Sequence, residues 1–500
     1  MNVEPADPRW IGRDRFILSA GHSSLTQYVQ LYRSGFGLEL DDVKKLRTAG
    51  SLTPGHPEYG HTKGVEITTG PLGTGIASAV GFAMNARRVH GLLDPETPLG
   101  ESVFDHFVYT VMGDGCMQEG VSSEAASLAG TQQLGNLIAI YDDNDISIEG
   151  NTDIAFTEDV SARFEAYGWQ VLDVDWRTGP DGYAENLEEL HEAIVAARAE
   201  SARPSLIRLH TIIAWPSPTK QGQASSHGAK LGAEEITGLK RALGLDPEQS
   251  FILPDDVVSH ARKQAAESAR AARAGWDERF AAWQRANPAG AALLDRLEAH
   301  RLPEGLQTAL PTWETGQSLA TRAASGKVLA ALAGVVPELW GGSADLGGSN
   351  KTTMEGQASF LPRELAREEG DGPYGRPVHF GVREHAMGSI LNGIALDGLT
   401  RPYGGTFMVF SDYMRPAVRL AALMGIGPVF VWSHDSIGVG EDGPTHQPVE
   451  HLASLRAIPG LDVVRPADAN ETAAAWVQIL RHRNEPAGII LSRQNLPVVA

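Results

Sequence analysis

Cysteine is almost absent from this chain of 500 residues, and long hydrophobic runs are absent altogether. The single cysteine, Cys116, excludes an internal disulfide and fits a reducing compartment, so we expect a cytoplasmic protein. No stretch reaches the roughly 18 consecutive apolar residues of a transmembrane helix. The N-terminal sequence MNVEPADPRWIGRDR has no apolar core, and we therefore expect neither a secretory signal nor a membrane partner.

Positive charge is also scarce in this sequence. The 42 lysines and arginines face 62 aspartates and glutamates, which gives a formal net charge of −20. Such a chain repels nucleic acid and anionic membranes, so we expect neither as a partner. Small anionic substrates are not excluded, because a few convergent Arg and His side chains can reverse the average field locally. The length and the 42% hydrophobic content suffice for two or three globular domains.

Two stretches of the chain alternate strand-like apolar runs with helical patterns, which predicts an α/β fold. We expect a first domain over residues 1–245 and a second over 313–500, each with a mostly parallel sheet and helices on both faces. Residues 246–312 are rich in alanine and in charged residues with a helical period. We interpret them as a helical linker that packs on the outside.

One carboxylate between two glycines marks the end of a predicted buried strand. The strand FVYTVM runs into a Gly-Asp-Gly turn at Asp114, and the next strand, NLIAIY, is followed by Asn144. One helical pattern separates the two strands, so a βαβ crossover places both strand ends at the same edge of the sheet. Asp114, Asn144 and the backbone carbonyl of Ile146 then offer oxygen ligands to a hard cation such as Mg²⁺.

An isolated GDG is most often a plain turn, but its combination with the downstream asparagine is more specific. The pair resembles the motif of thiamin diphosphate enzymes, which begins with GDG and ends in NN or DN. The resemblance implies that Asp114, Asn144 and Ile146 hold Mg²⁺ or Ca²⁺, which anchors the diphosphate of the cofactor. The flanking glycines, including Gly115, let that diphosphate approach the backbone.

A second carboxylate, Glu384, lies at a predicted strand-to-helix junction in HFGVREHAMG. Taken alone, it fits a glutamate favoured by the dipole at a helix N-terminus. In thiamin diphosphate enzymes a protonated glutamate bonds the pyrimidine ring, which lets the cofactor deprotonate its own thiazolium C2. The resemblance assigns Glu384 this role. It also places Phe407, Phe410 and Tyr413 at the cofactor, with Phe410 stacked on the pyrimidine, although their spacing also fits an ordinary core stripe.

The remaining motifs are specific to one family. The chain closely resembles transketolase in the stretches DRFILSAGHSS, TPGHPE, GVEITTGPLGTG, GGSADL, HDSIGVGEDGPTHQP, THQPVEHLASLR and LSRQNLP. The resemblance covers nearly the whole chain and is weakest over residues 246–315. It implies a diphosphate-binding domain over 1–245 and a pyrimidine-binding domain over 313–500, both of the thiamin diphosphate-binding type.

Histidines in glycine-rich or polar loops indicate a site that handles hydroxyl groups and protons, and arginine suits the binding of phosphate. The resemblance gives these residues their roles. The catalytic set is expected to be Glu384, His446, His227 and His56. Cofactor contacts are expected from His22, Gly70, Leu72, Gly115, Glu119, Asn144, His227, Glu384, Phe407, Phe410 and Tyr413. Substrate contacts are expected from His22, His56, His227, Arg322, Ser349, His434, Asp442, His446 and Arg493. Glu119 and Glu124 match acidic residues near the cofactor and the subunit interface.

The implied reaction transfers a two-carbon ketol unit from a ketose phosphate, such as xylulose 5-phosphate, to an aldose phosphate, such as ribose 5-phosphate. In the family it passes through a thiamin diphosphate ylid and a dihydroxyethyl intermediate and belongs to the pentose phosphate pathway. The family also implies a homodimer with active sites at the subunit interface.

Two alternatives stay open. The first is another ketol-transferring thiamin enzyme, of the dihydroxyacetone synthase or deoxyxylulose-phosphate synthase type; the stretches HQPVE and SRQNLP favour transketolase. The second alternative is an inactive, truncated chain that binds cofactor, which the intact Asp114, Asn144 and Glu384 disfavour.

The sequence departs from the family pattern in three places. Family members usually carry a further N-terminal segment, with an S-G-H-P-G loop whose histidine touches substrate, and a third, C-terminal domain. We therefore expect this chain to be a short form. The missing N-terminal loop puts phosphate recognition in question, whereas the third domain of the family mainly supports the dimer. In addition, Thr74 stands where the family usually has glutamine in PLGQG.

Overall fold

A computed structural model describes residues 1–179 and 182–499 of the chain. The first five strands in chain order are β1 (Arg15–Leu18), β2 (Val108–Gly113), β3 (Leu137–Asp143), β4 (Gln170–Asp175) and β5 (Ser205–His210). The helices of the same part are α1 (Ser24–Ser34), α2 (Leu40–Lys44), α3 (Thr74–Leu93), α4 (Asp114–Gln118), α5 (Gly120–Thr131), α6 (Val160–Ala166), α7 (Leu187–Ala199) and α8 (Ala233–Ala242).

Two long helices and a second set of strands follow. The helices are α9 (Asp255–Ala286) and α10 (Pro288–Glu298). The strands are β6 (Ser318–Ala320), β7 (Leu339–Ser343), β8 (Pro377–His379), β9 (Arg401–Phe407), β10 (Val429–Ser433), β11 (Asp462–Val464), β12 (Ala487–Leu491) and β13 (Asn495–Pro497). The last helices are α11 (Thr321–Ala333), α12 (Gly347–Asn350), α13 (Glu384–Asp397), α14 (Ser411–Met424), α15 (His451–Arg456) and α16 (Ala469–Arg481).

The chain groups into two compact units, and the first comprises Met1–Ala79 and His106–Glu278. Its sheet has the strand order β1-β2-β3-β5-β4, and every neighbouring pair is parallel. Apolar residues of β2 to β5 pack with small residues of α7, such as Ala193 and Ala197, in one buried cluster. Alanines on the inner face of this helix allow it to lie close to the sheet.

The predicted crossover between β2 and β3 is present in this unit. The two strands pair in parallel from Val108 opposite Leu137 to Gly113 opposite Asp142, and α4 and α5 lie between them in the chain. At the Gly-Asp-Gly sequence, where the sequence predicts a turn, a short helix begins, since Asp114 is the first residue of α4. A carboxylate at a helix N-terminus is favoured by the helix dipole, which explains the start of the helix there.

The second unit comprises Val80–Asp105 and Arg279–Ala500. Its main sheet has the order β11-β12-β10-β9-β7-β8 and is parallel throughout, while β13 and β6 form a small antiparallel pair. The buried core lies around Trp476 of α16, whose indole N–H donates to Ser325 of α11 at 2.9 Å. A partner for the indole N–H removes the cost of burying it.

The predicted α/β class, with mostly parallel sheets flanked by helices, is confirmed. Helices α9 and α10 fall in the stretch predicted to be a helical linker. The domain boundaries predicted at residues 245 and 312 stay predictions. The two compact units are each built from separate stretches of the chain, so their limits do not test the boundaries of family domains. Among the described residues, no helix has both the length and the apolar character needed to cross a membrane.

The position of α5 depends on a close contact at Gly130. A Cβ atom at Gly130 would lie 1.8 Å from the carbonyl oxygen of Tyr167, whereas one at Gly120 in the same helix would meet nothing within 4 Å. We expect Gly130→Ala to destabilise the protein by about 1–3 kcal/mol through overpacking. Gly120→Ala, the matched control, should be neutral or slightly stabilising because alanine favours a helix. Thermal unfolding of both variants tests this, and equal midpoints would contradict it.

Candidate active site

The first polar cluster lies at the carboxyl ends of β2 and β3 in the first unit. Asp114 is only 4% exposed. Its Oδ1 accepts a hydrogen bond from the Tyr141 hydroxyl at 2.8 Å, and its Oδ2 accepts one from the backbone N–H of Asn144 at 3.4 Å. The structure therefore brings Asp114 and Asn144 together, as the crossover predicts. Asn144 Oδ1 accepts from the backbone N–H of Ile146 at 3.1 Å, so the third predicted ligand belongs to the same turn.

The electrostatics of this cluster favour a cation. Burial, helped by the nearby carboxylates of Asp143 and Asp142, raises the pKa of Asp114 to about 7, against the hydrogen bonds that Asp114 accepts. A buried carboxylate among other carboxylates is costly unless positive charge compensates it. Carboxylate, amide and carbonyl oxygens are the ligands that Mg²⁺ and Ca²⁺ prefer, so these residues fit such an ion.

Sequence reasoning missed the residues that support this cluster. Tyr141 donates to Asp114 and also approaches Asp143 Oδ1 at 3.3 Å. Although burial opposes it, hydrogen bonds from His210 and Arg208 lower the pKa of Asp143, which stays charged. The sequence does contain a signal for these residues. Side chains alternate between the two faces of a strand, so Tyr141 and Asp143 of β3 lie on the same face.

Three of the predicted histidines also lie in the first unit. The rings of His22 and His227 are stacked with centroids 5.0 Å apart. Burial lowers the pKa of His22, and the neighbouring His227 and His56 lower it further. Burial also lowers the pKa of His227. The imidazoles of His22 and His227 are therefore neutral near pH 7, and each can both donate and accept a hydrogen bond.

The loop Pro71-Leu72-Gly73 packs against the start of α4. A Cβ atom at Gly115 would lie 2.6 Å from Leu72 Cδ1, and one at Gly70 would lie 3.6 Å from the ring of His56. Gly115 thus allows Leu72 to approach the strand end that carries Asp114. Thr74, which departs from the family pattern, donates its hydroxyl to the Pro71 carbonyl at 2.7 Å and so closes the loop. Glu119 is the N-cap residue of α5, and Glu124 lies within that helix.

The second unit carries an aromatic cluster at the end of β9. Phe407 and Phe410 are stacked with ring centroids 5.9 Å apart, and Tyr413 lies 5.9 Å from Phe410. His434 and His446 join them, because His434 is 3.7 Å from Phe407 and His446 is 5.3 Å from Phe410, centroid to centroid. The cluster therefore combines aromatic surface with imidazole groups.

Cationic residues surround His434 in the same unit. Burial and the positive charge of Arg322 lower the pKa of His434 to about 4, against the opposing charge of Asp442. Burial and Arg493 also lower the pKa of Arg322. Arg322 donates to the carbonyl oxygen of Ser349 at 2.7 Å, whereas Arg493 forms an ion pair with Glu441. An anion such as a phosphate would relieve the mutual repulsion of the two guanidinium groups.

Glu384 is the first residue of α13, which packs on β9 and α14. Burial raises the pKa of the Glu384 carboxyl, and this favours the protonated form. A protonated carboxyl is a hydrogen-bond donor as well as an acceptor. Glu384 thus has the protonation preference that its predicted role requires, and the role itself stays a prediction.

The predicted site residues consequently fall into two groups. The first unit contains His22, His56, Gly70, Leu72, Asp114, Gly115, Glu119, Asn144, Ile146 and His227. The second unit contains Arg322, Ser349, Glu384, Phe407, Phe410, Tyr413, His434, Asp442, His446 and Arg493.

Comparison with protein families gives two matches along the chain. Residues 1–303 match the family model described as transketolase, thiamine diphosphate binding domain. Residues 317–499 match that of the transketolase pyrimidine binding domain. With the oxygen-rich cluster of the first unit, these matches define a protein that binds thiamin diphosphate.

Individual relatives give the same result. A transketolase from Mycobacterium bovis is 57% identical over 503 residues, which cover 100% of this chain and 71% of the relative. One from Geobacillus stearothermophilus is 51% identical over 500 residues, covering 100% and 72%. A crystal structure of transketolase from Pichia stipitis, in complex with sedoheptulose 7-phosphate, superimposes with a TM-score of 0.93 at 44% identity, covering 100% of this chain and 72% of that one. The chain belongs to the transketolase family, and it is an enzyme of that class.

We expect the Asp114 carboxylate to control the Mg²⁺-dependent binding of thiamin diphosphate. Asp114→Ala should weaken cofactor binding about tenfold or more, a loss of at least 1.4 kcal/mol, because it removes the charged ligand. Asp173→Ala is the matched control, since Asp173 lies on β4 of the same sheet and its side chain is 57% exposed. Calorimetric titration in Mg²⁺ measures both variants, and unchanged affinity in Asp114→Ala would refute the assignment.

The same carboxylate predicts a pH dependence. Because its pKa is raised to about 7, the metal-free chain holds a proton there up to neutral pH, and Mg²⁺ must displace that proton. The apparent Mg²⁺ affinity should therefore decrease as the pH falls below about 7 and level off above it. Titrations across this range test the prediction, and a flat profile would count against it. Asp114→Ala should lose the dependence.

Proposed function

We propose that this enzyme transfers a two-carbon ketol unit from a ketose phosphate, such as xylulose 5-phosphate, to an aldose phosphate, such as ribose 5-phosphate, in the pentose phosphate pathway. The observation that carries the proposal is the cluster of Arg322, Arg493 and His434, which suits a sugar phosphate. The Pichia stipitis relative, whose complex holds sedoheptulose 7-phosphate, supports the same substrate class. The single cysteine supports a cytoplasmic location.

Asp114, Asn144 and the Ile146 carbonyl would hold Mg²⁺ or Ca²⁺ and so anchor the cofactor diphosphate. The raised pKa of Asp114 supports this, since the buried carboxylate lacks compensating charge until a cation binds. Bound thiamin diphosphate supplies the electron sink that cleavage of the ketose carbon–carbon bond requires. The side chain of Leu72, above Gly115, and the aromatic rings of Phe407, Phe410 and Tyr413 would orient its rings.

The chain's own residues handle the protons and the substrate. Glu384 would donate a hydrogen bond from its protonated carboxyl to the pyrimidine ring. His22, His56, His227 and His446 would bind the hydroxyl groups of the ketose and accept or return their protons. Neutral imidazoles suit this task, and the lowered pKa values of His22 and His227 support it.

The phosphate of the substrate would lie against the cationic cluster of the second unit. The guanidinium groups of Arg322 and Arg493 donate in a planar fork that matches phosphate oxygens. Ser349 and His434 would contribute further donors, because His434 remains neutral down to about pH 4 and carries one ring N–H. Asp442 would accept from a substrate hydroxyl.

A coupled assay of ketol transfer tests the reaction. With xylulose 5-phosphate as donor, we expect the enzyme to prefer ribose 5-phosphate over formaldehyde as acceptor. In a separate assay with pyruvate as donor and glyceraldehyde 3-phosphate as acceptor, we expect no product. Arg322→Gln should raise KM for the phosphorylated acceptor about tenfold or more and change kcat less, because the lost contact binds ground state and transition state alike. Preference for formaldehyde, or product from pyruvate, would replace the proposal with one of the related thiamin enzymes.

Glu384→Gln tests the activation of the cofactor. It should keep the fold and most of the cofactor affinity but slow hydrogen–deuterium exchange at C2 of thiamin diphosphate by about 100-fold or more. Quenched NMR of the bound cofactor measures that rate. Glu485→Gln, an exposed position of the second unit, is the control. Exchange as fast in Glu384→Gln as in the unmutated enzyme removes Glu384 from this role.

We further propose a homodimer in which the Asp114 group of one chain and the Glu384 group of its partner hold the same cofactor. The family relationship and the division of the two groups between units support this. Asp114→Ala and Glu384→Gln dimers should each be nearly inactive. After random exchange, half the dimers are mixed and each has one intact site, so about a quarter of full activity should return. Heterodimers verified by native mass spectrometry but without activity would refute the model.

A further inference from the structure

A cluster outside the predicted site combines one buried histidine with two exposed carboxylates. His451, the first residue of α15, is 4% exposed. Asp412 lies in the first turn of α14, and Glu450 directly precedes His451. One ligand atom from each of the three residues lies within 4.8 Å of the others. The cluster therefore has the composition and the dimensions of a metal site.

The hydrogen bonds of His451 leave one ring nitrogen available. Nε2 lies 3.1 Å from Asp412 Oδ2, and a carboxylate there fixes the proton on Nε2. Nδ1 then carries a lone pair. It is buried and has no hydrogen-bond partner among residues 1–179 and 182–499. A buried, unpartnered nitrogen is costly, and a ligand that accepts its lone pair would remove that cost.

Nδ1 faces a second possible ligand, since it lies 3.8 Å from Glu450 Oε2. Two ligands bonded at about 2.0 Å to one tetrahedral ion lie about 3.3 Å apart, so a small movement of Glu450 suffices. The Glu450 side chain is 75% exposed and free to make that movement. Asp412 completes the arrangement of carboxylate, histidine and metal in which the carboxylate orients the imidazole.

The backbone around the cluster is already held in place. Arg415 of α14 donates to Ser454 of α15, to its hydroxyl at 3.0 Å and to its carbonyl at 2.9 Å. The Ser454 hydroxyl in turn donates to the carbonyl of His451 at 3.0 Å. The two helices that carry the ligands are thus linked without metal, and little ordering is needed when an ion binds.

We propose that Asp412, Glu450 and His451 form a second cation site, which takes a transition-metal ion of the Zn²⁺ class. Glu450 and His451 Nδ1 are the direct ligands, Asp412 orients the imidazole, and water fills the remaining positions. An imidazole ligand favours Zn²⁺ over Mg²⁺ or Ca²⁺, which prefer the oxygen ligands around Asp114. The ion would bind the segment that follows His446, and the hydrogen bond between His451 and Asp412 would link it to the first turn of α14.

Zinc titration of the full chain tests this proposal. The protein is freed of metal and then saturated with Mg²⁺ and thiamin diphosphate, which occupy the Asp114 cluster. Competition with a chromogenic chelator should then show that each chain binds one Zn²⁺ in addition to the Mg²⁺. We expect His451→Gln to weaken this binding tenfold or more. His482→Gln is the matched control, because His482 belongs to an exposed cluster with Asp462 and Glu485 and should leave the binding unchanged. Equal zinc affinity in His451→Gln, or a loss in His482→Gln instead, overturns the proposal.

Two further measurements keep the test valid if His451→Gln does not fold. Glu450→Gln changes only an exposed side chain and should also weaken Zn²⁺ binding. X-ray absorption of the zinc complex should show imidazole scattering in the unmutated protein. Scattering from oxygen ligands alone, or zinc binding unaffected by Glu450→Gln, contradicts the assigned ligands. Zinc should also raise the thermal unfolding midpoint of the unmutated protein, because the ion binds only the folded form.

Discussion

The parallel pairing of β2 with β3 is the constraint on which the first unit's chemistry depends. Parallel strands joined by a crossover must end at the same edge, so residues far apart in the chain meet there. Asp114 and Asn144, 30 residues apart, come within 3.4 Å in this way. A shift of the register by one residue would turn Tyr141 and Asp143 to the opposite face and leave Asp114 buried without the hydrogen bond from Tyr141.

The site residues of the two units carry charges of opposite sign: carboxylates converge in the first unit, and guanidinium groups converge in the second. In the first, burial and, to a smaller extent, the neighbouring carboxylates of Asp143 and Asp142 raise the pKa of Asp114. In the second, burial and the positive charges of Arg322 and Arg493 lower the pKa of His434. A bound cation would compensate the negative charge of the first group, and a bound anion would compensate the positive charge of the second. The proposed binding of a metal diphosphate and of a sugar phosphate requires both, although the chain as a whole carries a net charge of −20. Net charge therefore describes the solvent-exposed surface better than it describes the sites.

Short helices and loops position most of the site, whereas the sheets provide rigidity. Leu72 approaches Gly115 because that residue has no side chain. Phe407 ends β9 and Phe410 precedes α14, so their stacking depends on the short turn between strand and helix. His434 follows β10 with a φ of 59°, a left-handed conformation that turns the chain at the strand end. Function thus lies at strand ends, as in other parallel sheets.

The sequence by itself determined the α/β class, the order of strands and helices, and the family. Strand-like runs such as NLIAIY and helical patterns such as LEELHEAIVAARAE are local signals, and the motifs around Asp114 and Glu384 are contiguous. Only the tertiary structure showed that Tyr141 donates to Asp114, that His210 and Arg208 keep Asp143 charged, and that one ring nitrogen of His451 has no hydrogen-bond partner in the described part of the chain. Each of these depends on burial and on contacts between distant segments, and neither is encoded in the spacing of residues along a chain. Protonation states follow the same division, because desolvation is a property of the packed molecule.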